Sequence, residues 1–298
     1  MINSSLLTMV ALFAAMTFFA GASWAVELSE KQPIASISIG GEFSSGSYNT
    51  GSTTRSFYLP LIASWYPTER LDMSVEVPLL YQSSSLVTTT IYQTPTALTS
   101  SQSTARQGGP GGITGTGGIT GTGAIAGTSG TGGADSSSVS GLGDIILRAG
   151  YILSFESDAL PQVRTSLFVK TPTASLSNGL GTGEFDFGGG LDFSKWFGDL
   201  HLAGEAMYTY QGTVDGFGLK NYLSYSGTVG YQMTHSILPM LIIKGATAPS
   251  DYSENLLEVR GRVLLTLSPS TAIDLFVSRG ISSSSPDYAG GGAVIYSF

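Results

Sequence analysis

Acyl-transfer chemistry needs a base within hydrogen-bond reach of a hydroxyl, and this chain of 298 residues offers two histidines for that role. His201 follows the FGD turn at 197–199 and His235 lies in the MTH turn at 233–235. Both fall at the same, short-turn end of the strands that flank them, so each reads as a turn or interface residue. No Cys is present, which removes thiolate nucleophiles, heme attachment and a disulfide framework. No His pair stands at ligand spacing and no carboxylate-rich loop resembles a calcium site. The glycine runs GEFDFGGG (183–190) and YAGGGA (288–293) lie inside strand patterns and precede no helix, so they are not phosphate loops. No enzyme activity, cofactor or metal is expected.

The remaining residues with chemical potential are charged and recur at alternate positions: Glu76, Asp144, Arg148, Arg164, Lys170, Asp186, Asp192, Glu205, Glu258, Arg260, Arg262 and Asp274. Arg260 and Arg262 stand beside Glu258 on one segment and could pair with Glu205, Asp192 or Asp274. Paired across an interior they would brace it; open to water they would bias the passage of ions or anionic solutes. Bracing is the expectation carried forward.

Period-two patterning positions these groups. In LDMSVEVPLLYQ (71–82), Leu71, Met73, Val75, Val77, Leu79 and Tyr81 alternate with Asp72, Ser74, Glu76, Pro78, Leu80 and Gln82. EFDFGGGLDFSKWF, ENLLEVRGRVLLTL and the final DYAGGGAVIYSF alternate in the same way. Turn residues divide the chain into twelve strands near 34–44, 54–66, 71–82, 141–154, 161–172, 184–197, 199–211, 220–233, 235–247, 255–267, 271–280 and 287–298. Most are about twice the usual globular length and suit a tilted crossing of a bilayer.

Short connections (YPTER, FESDA, FGD, MTH, SPS) alternate with generally longer ones at 45–53, 83–140, 173–183, 212–219, 248–254 and 281–286. That asymmetry, with Trp65, Tyr81, Tyr151, Phe193, Tyr208, Tyr210, Tyr231, Tyr296 and Phe298 near strand ends, predicts an all-β, transmembrane up-and-down antiparallel barrel of about twelve strands. In a soluble sandwich the charged set would be buried ions. The composition agrees: 11% charged residues, 42% hydrophobic and 40 Gly, against about 25% charged in average soluble domains. With a net charge of −8 and scattered Lys and Arg, no basic footprint for nucleic acid exists.

Residues 1–25 read as a signal peptide, an apolar run followed by Ser23-Trp24-Ala25 before Val26. Residues 26–298 form one barrel domain, and export places it in the outer membrane of a Gram-negative bacterium. Its segment at about 83–140 is a long outside loop containing GGITGTGGITGTGAIAGT (111–128). With so little side chain to bury, the segment is expected to be flexible. Two sharper alternatives compete: the hexads stack as polyproline-type or parallel coils, for which three copies are a lower limit, or the loop folds into the mouth as a constriction, with Ile113, Ile119 and Ile125 as packing contacts.

SGLGDIILRAGYIL (140–153), LFVKTPTAS (167–175), LGTGEFDFGGGLDFSKWFG (180–198) and EAMYTYQG (205–212) resemble the outer-membrane family named for the meta-cleavage pathway of phenol degradation. The resemblance covers about the last 160 residues and implies a barrel that transports hydrophobic or aromatic compounds. Tyr296 and Phe298 resemble the C-terminal signal read by the barrel assembly machinery. The expected partners are outer-membrane lipid, that machinery and a small-molecule solute. The reading is therefore a channel or transporter for passive passage. The alternatives are a closed structural or surface-interaction barrel working through its Gly/Thr loop and, more weakly, an outer-membrane hydrolase.

Overall fold

The structure, a computed structural model, describes residues 33–48, 53–83, 87–91, 122–126, 138–213 and 218–298. The proposed signal peptide and most of the Gly/Thr segment, Ile113 and Ile119 included, lie outside these residues.

Alternation becomes strand wherever it was read. The strands are β1 (Ala35–Gly46), β2 (Thr54–Trp65), β3 (Leu71–Gln82), β4 (Val87–Ile91), β5 (Thr122–Ala126), β6 (Val139–Leu142), β7 (Ile146–Ser154), β8 (Gln162–Lys170), β9 (Asp186–Phe197), β10 (Leu200–Tyr210), β11 (Tyr222–Tyr231), β12 (Ile237–Ala246), β13 (Leu256–Ser268), β14 (Thr271–Gly280) and β15 (Tyr288–Ser297). β6 and β7 are two parts of one crossing, interrupted at 143–145. Each crossing pairs antiparallel with its sequence neighbour, and β1 pairs with β15, so twelve crossings close into a cylinder without an edge. Closure matters because an unpaired strand edge in hydrocarbon would leave backbone groups unsatisfied.

The pleat sorts the side chains. Ile39, Leu61, Val75, Leu79, Leu147, Leu167, Leu191, Leu241, Ile243, Val277 and Val294 stand exposed on the outer wall, with aromatic residues toward its rims. Trp65 is 53% exposed at one rim and Tyr210 59% at the other. Polar and charged residues fill the inner face, where Glu76, Glu258 and Asp274 are each 1% exposed. Apolar outside and ionic inside is the inverse of a soluble core and is what a transmembrane barrel requires. The twelve-stranded, up-and-down fold expected from the sequence is the one formed.

One element departs from expectation. Within the segment expected to be flexible, β4 and β5 pair as an antiparallel ribbon with Val87 opposite Ala126 and Ile91 opposite Thr122. β4 reads VTTTI, entirely β-branched, and such side chains favour the extended backbone. Ile125, expected as a constriction contact, lies in β5 opposite Thr88.

Candidate functional site

The charged residues assemble into discrete clusters along the interior. On β8, Arg164 forks between two carboxylates: Nε and Nη2 donate to both oxygens of Asp72 at 3.0 and 2.6 Å, and Nη1 donates to Asp192 at 2.7 Å. Gly150 of β7 makes room for it, since a Cβ there would overlap the guanidinium. Six residues along the strand, Lys170 lies 3.2 Å from Asp144 and 2.8 Å from Asp186, and donates to the Thr182 hydroxyl at 3.0 Å. Asp144 turns inward at the break between β6 and β7, where it also accepts the Ala174 N–H. Arg148 meets Glu76 at 2.5 Å.

Across the barrel, Arg262 binds Asp274 through two parallel hydrogen bonds of 2.8 and 2.6 Å. Arg260 lies 3.0 Å from Glu258 and 3.8 Å from Glu42, with its guanidinium 3.8 Å above the Phe276 ring. Lys244 joins the same group 3.6 Å from Glu258. Of the three partners expected for Arg260 and Arg262, only Asp274 is engaged. Asp192 is taken by Arg164, and Glu205 is hydrogen-bonded to Ser226 with no ion pair among the described residues.

Three interior ions were not among the expected set: Glu42, Asp72 and Lys244. Asp72 stood in the alternation but at the start of a strand, beside a turn. Glu42 is embedded in the Gly/Ser-rich GGEFSSG of β1, and Lys244 in LPMLIIKGA of β12, apolar on both faces. With these included, the described interior holds nine carboxylates (Glu42, Asp72, Glu76, Asp144, Asp186, Asp192, Glu205, Glu258, Asp274) against six cations (Arg148, Arg164, Lys170, Lys244, Arg260, Arg262), a formal excess of three negative charges.

Apolar clusters flank these ions. Toward the short-turn rim, Leu238, Met240, Ile242, Leu264, Ala272 and Ile295 pack together against Trp196. His201 is drawn into this end, its ring 4.5 Å from Trp196. No hydroxyl is bonded to it, and its buried Nδ1 has no partner among the described residues. At the other rim the connection between β8 and β9 folds into the mouth. A short 3-10 turn at Leu176–Asn178 ends in left-handed Gly179 (φ 67°), after which Leu180 turns inward. Ala174 and Leu180 pack with Tyr58, Leu80, Phe276 and Ala293 in one buried cluster, and Gln82 donates to the Gly179 carbonyl. Its residue types, LSNGLGTG, marked only a turn in sequence; its inward fold follows from Lys170, Asp144 and Thr182 anchoring both of its ends.

Tyr48 and Tyr66 lie outside the crossings and are largely covered. Tyr48, in the left-handed backbone region at φ 46°, is held well above the usual phenol range by burial. Tyr66, in the first short turn, is raised by burial while hydrogen bonds from Ser36 and Ser64 pull it partly back. The rings of Tyr296 and Phe298 meet edge-on at 4.9 Å on the outer face.

A family model described as "Putative MetA-pathway of phenol degradation" matches residues 81–298. No curated protein sequence matches the chain. Among solved structures, it is similar to the KdgM porin in complex with disordered oligogalacturonate, at 9% identity and a TM-score of 0.49, covering 88% of this chain and 99% of that one. It is similar to the translocator domain of the autotransporter NalP from Neisseria meningitidis, at 11% identity and a TM-score of 0.47 over 98% of each chain. The Ralstonia pickettii toluene transporter TbuX gives 10% identity and a TM-score of 0.44 over 91% of each chain.

Proposed function

We propose that this chain, which belongs to the MetA-pathway family of phenol degradation, is a passive outer-membrane channel for small molecules, selective for hydrophobic or aromatic ones. One observation carries the reading: the inward-folded 171–185 connection packs Ala174 and Leu180 against Tyr58, Leu80 and Phe276 in a buried apolar, partly aromatic cluster at the long-loop mouth, which we read as a throat. A throat of that kind resists hydrated ions and admits a solute that sheds little water on passing it. In this reading residues 1–25 direct export and are removed, the long loops face outward and the short turns face the periplasm. The ion pairs brace the wall around the path, since a twelve-stranded lumen is narrow and a paired charge holds two strands together.

Single-channel conductance of the refolded mature protein in planar bilayers tests this, with and without residues 176–182. Small conductance that rises on removal of the loop is the expected result. No conductance in either form, together with no uptake of an aromatic probe by cells producing the protein, would overturn the reading in favour of a closed structural or surface-interaction barrel.

A further inference from the structure

The hydrogen-bond ladder of the wall is interrupted between β1 and β2. The β1–β2 ladder runs from Ala35 opposite Trp65 to Ile39 opposite Leu61, then skips to Glu42 opposite Tyr58. The register is the same on both sides, so Gly40 faces Pro60 and Gly41 faces Leu59 without a rung between them. Pro60 has no N–H to give. On its other side Pro60 stands directly opposite Pro78 of β3. Beyond Pro78 the wall is irregular again, at the 143–145 break, where the Gly143 N–H donates to the Pro78 carbonyl and nothing can be returned. Two prolines thus strip donors from neighbouring seams at one height. Elsewhere among the described crossings, register shifts fall only at the short-turn ends, at Ile152/Ser154 and Thr266/Ser268.

What lies on either side of this place gives it a use. Outside, Gly41 pairs with Gly292 of β15, so the β1 side of the seam carries no outward side chain of its own and is covered by the Phe57 ring, 3.2 Å from where a Gly41 Cβ would stand, with Leu59 facing it from β2. Inside, Gly40 pairs with Ala293, which belongs to the same throat cluster as Tyr58 and Phe276. Tyr58 is 1% exposed and its hydroxyl has no partner among the described residues. From Ile39 to Glu42 the unladdered stretch spans about 10 Å at roughly 3.4 Å per residue.

We propose that small, uncharged, largely apolar solutes carrying at most one hydrogen-bonding group leave the throat sideways, between β1 and β2 at Gly40–Gly41 and Leu59–Pro60, into the apolar layer around the barrel. The inference rests on the channel reading above and adds the route. An axial path would take such a solute past the ion pairs of the lumen, where it has nothing to replace their hydration. The lateral path leaves the cluster past Tyr58, Phe276, Leu59, Pro60, glycine backbone and the movable Phe57 ring, and among the described residues the one charged group beside it is the Arg260–Glu42 pair at its inner edge.

The chain has no cysteine, so Gly41→Cys with Leu59→Cys, which face each other in register, supplies a single disulfide across the missing rungs. The probe is N-phenyl-1-naphthylamine, which fluoresces in apolar surroundings, added to intact Gram-negative cells producing the variant. Oxidation is expected to slow uptake at least fivefold, reduction to restore it, and planar-bilayer conductance to be the same in both states. Pro60→Val with Pro78→Val, which returns two donors to the wall without a cross-link, is expected to slow uptake similarly. Equal uptake by the oxidised and reduced forms, with the cross-link complete, would overturn the lateral route while leaving the channel intact. So would wild-type uptake by a folded proline variant, should the cysteine pair fail to assemble. Absence of uptake by the wild-type protein removes the channel reading and the route together.

Discussion

The Arg164 guanidinium lies on the backbone of Gly150, in the space that a side chain there would occupy, and from that position it reaches Asp72 and Asp192 at once. A glycine in a strand interior is otherwise a loss, and here it creates room for an ion that ties three strands, β3, β8 and β9, together. Gly150→Ala should push the guanidinium off both carboxylates and cost about 3 kcal/mol, the scale of a broken buried pair. Gly227→Ala is the control, because a Cβ there meets nothing within 4 Å. Urea unfolding in detergent micelles, followed by tryptophan fluorescence, measures both. Equal stabilities for the two variants would show that Arg164 finds another position.

The buried tyrosines outside the crossings predict a loss of stability in alkali. Burial raises Tyr48 and Tyr66 above the free phenol value of 10.0, so the folded chain holds these protons more tightly than the unfolded chain. Their contribution is fully present below pH 10 and falls away as pH rises through and beyond it. Folding free energy measured at pH 8 and pH 11 should therefore drop less in the Tyr48→Phe/Tyr66→Phe variant than in the wild type. An identical drop in the two proteins would assign the alkaline loss to other groups.

How much of this was legible in the sequence depended on whether a signal was local. Strand alternation is local, and it gave every crossing, as in β3, where Asp72, Ser74 and Glu76 interleave with Met73 and Val75. Which cation meets which carboxylate is set by register across strands, and register is a property of pairs. Arg262 and Asp274 are bound because β13 and β14 meet in a tight turn, whereas Glu205, equally plausible in sequence, faces Asp192 and Ser226 in the ladders. Lys244 was hidden for a different reason: its neighbours in β12 are apolar on both faces, so no alternation marked its side. The mouth loop was missed because its burial comes from the anchoring of Lys170 and Asp144, residues that are remote from Leu180 in pattern though near it in space.

The last prediction separates bracing from selectivity. Arg262→Ala alone leaves Asp274, 1% exposed, as an uncompensated interior charge, and should cost about 3 to 5 kcal/mol. Arg262→Leu with Asp274→Leu removes both ions, keeps the volume and should cost about 1 kcal/mol or less, since a well-packed apolar pair can replace a buried ion pair. The double change is also neutral in charge, so it leaves the excess of interior carboxylates where it was, at Glu205 and around Arg164 and Lys170. Reversal potentials in a KCl gradient should then show the same preference for cations in the wild type and in the Leu pair. A double variant as unstable as Arg262→Ala would mean that the ion pair itself, rather than the filling of its space, holds β13 to β14. A lost cation preference would mean that Asp274 faces the conducting path.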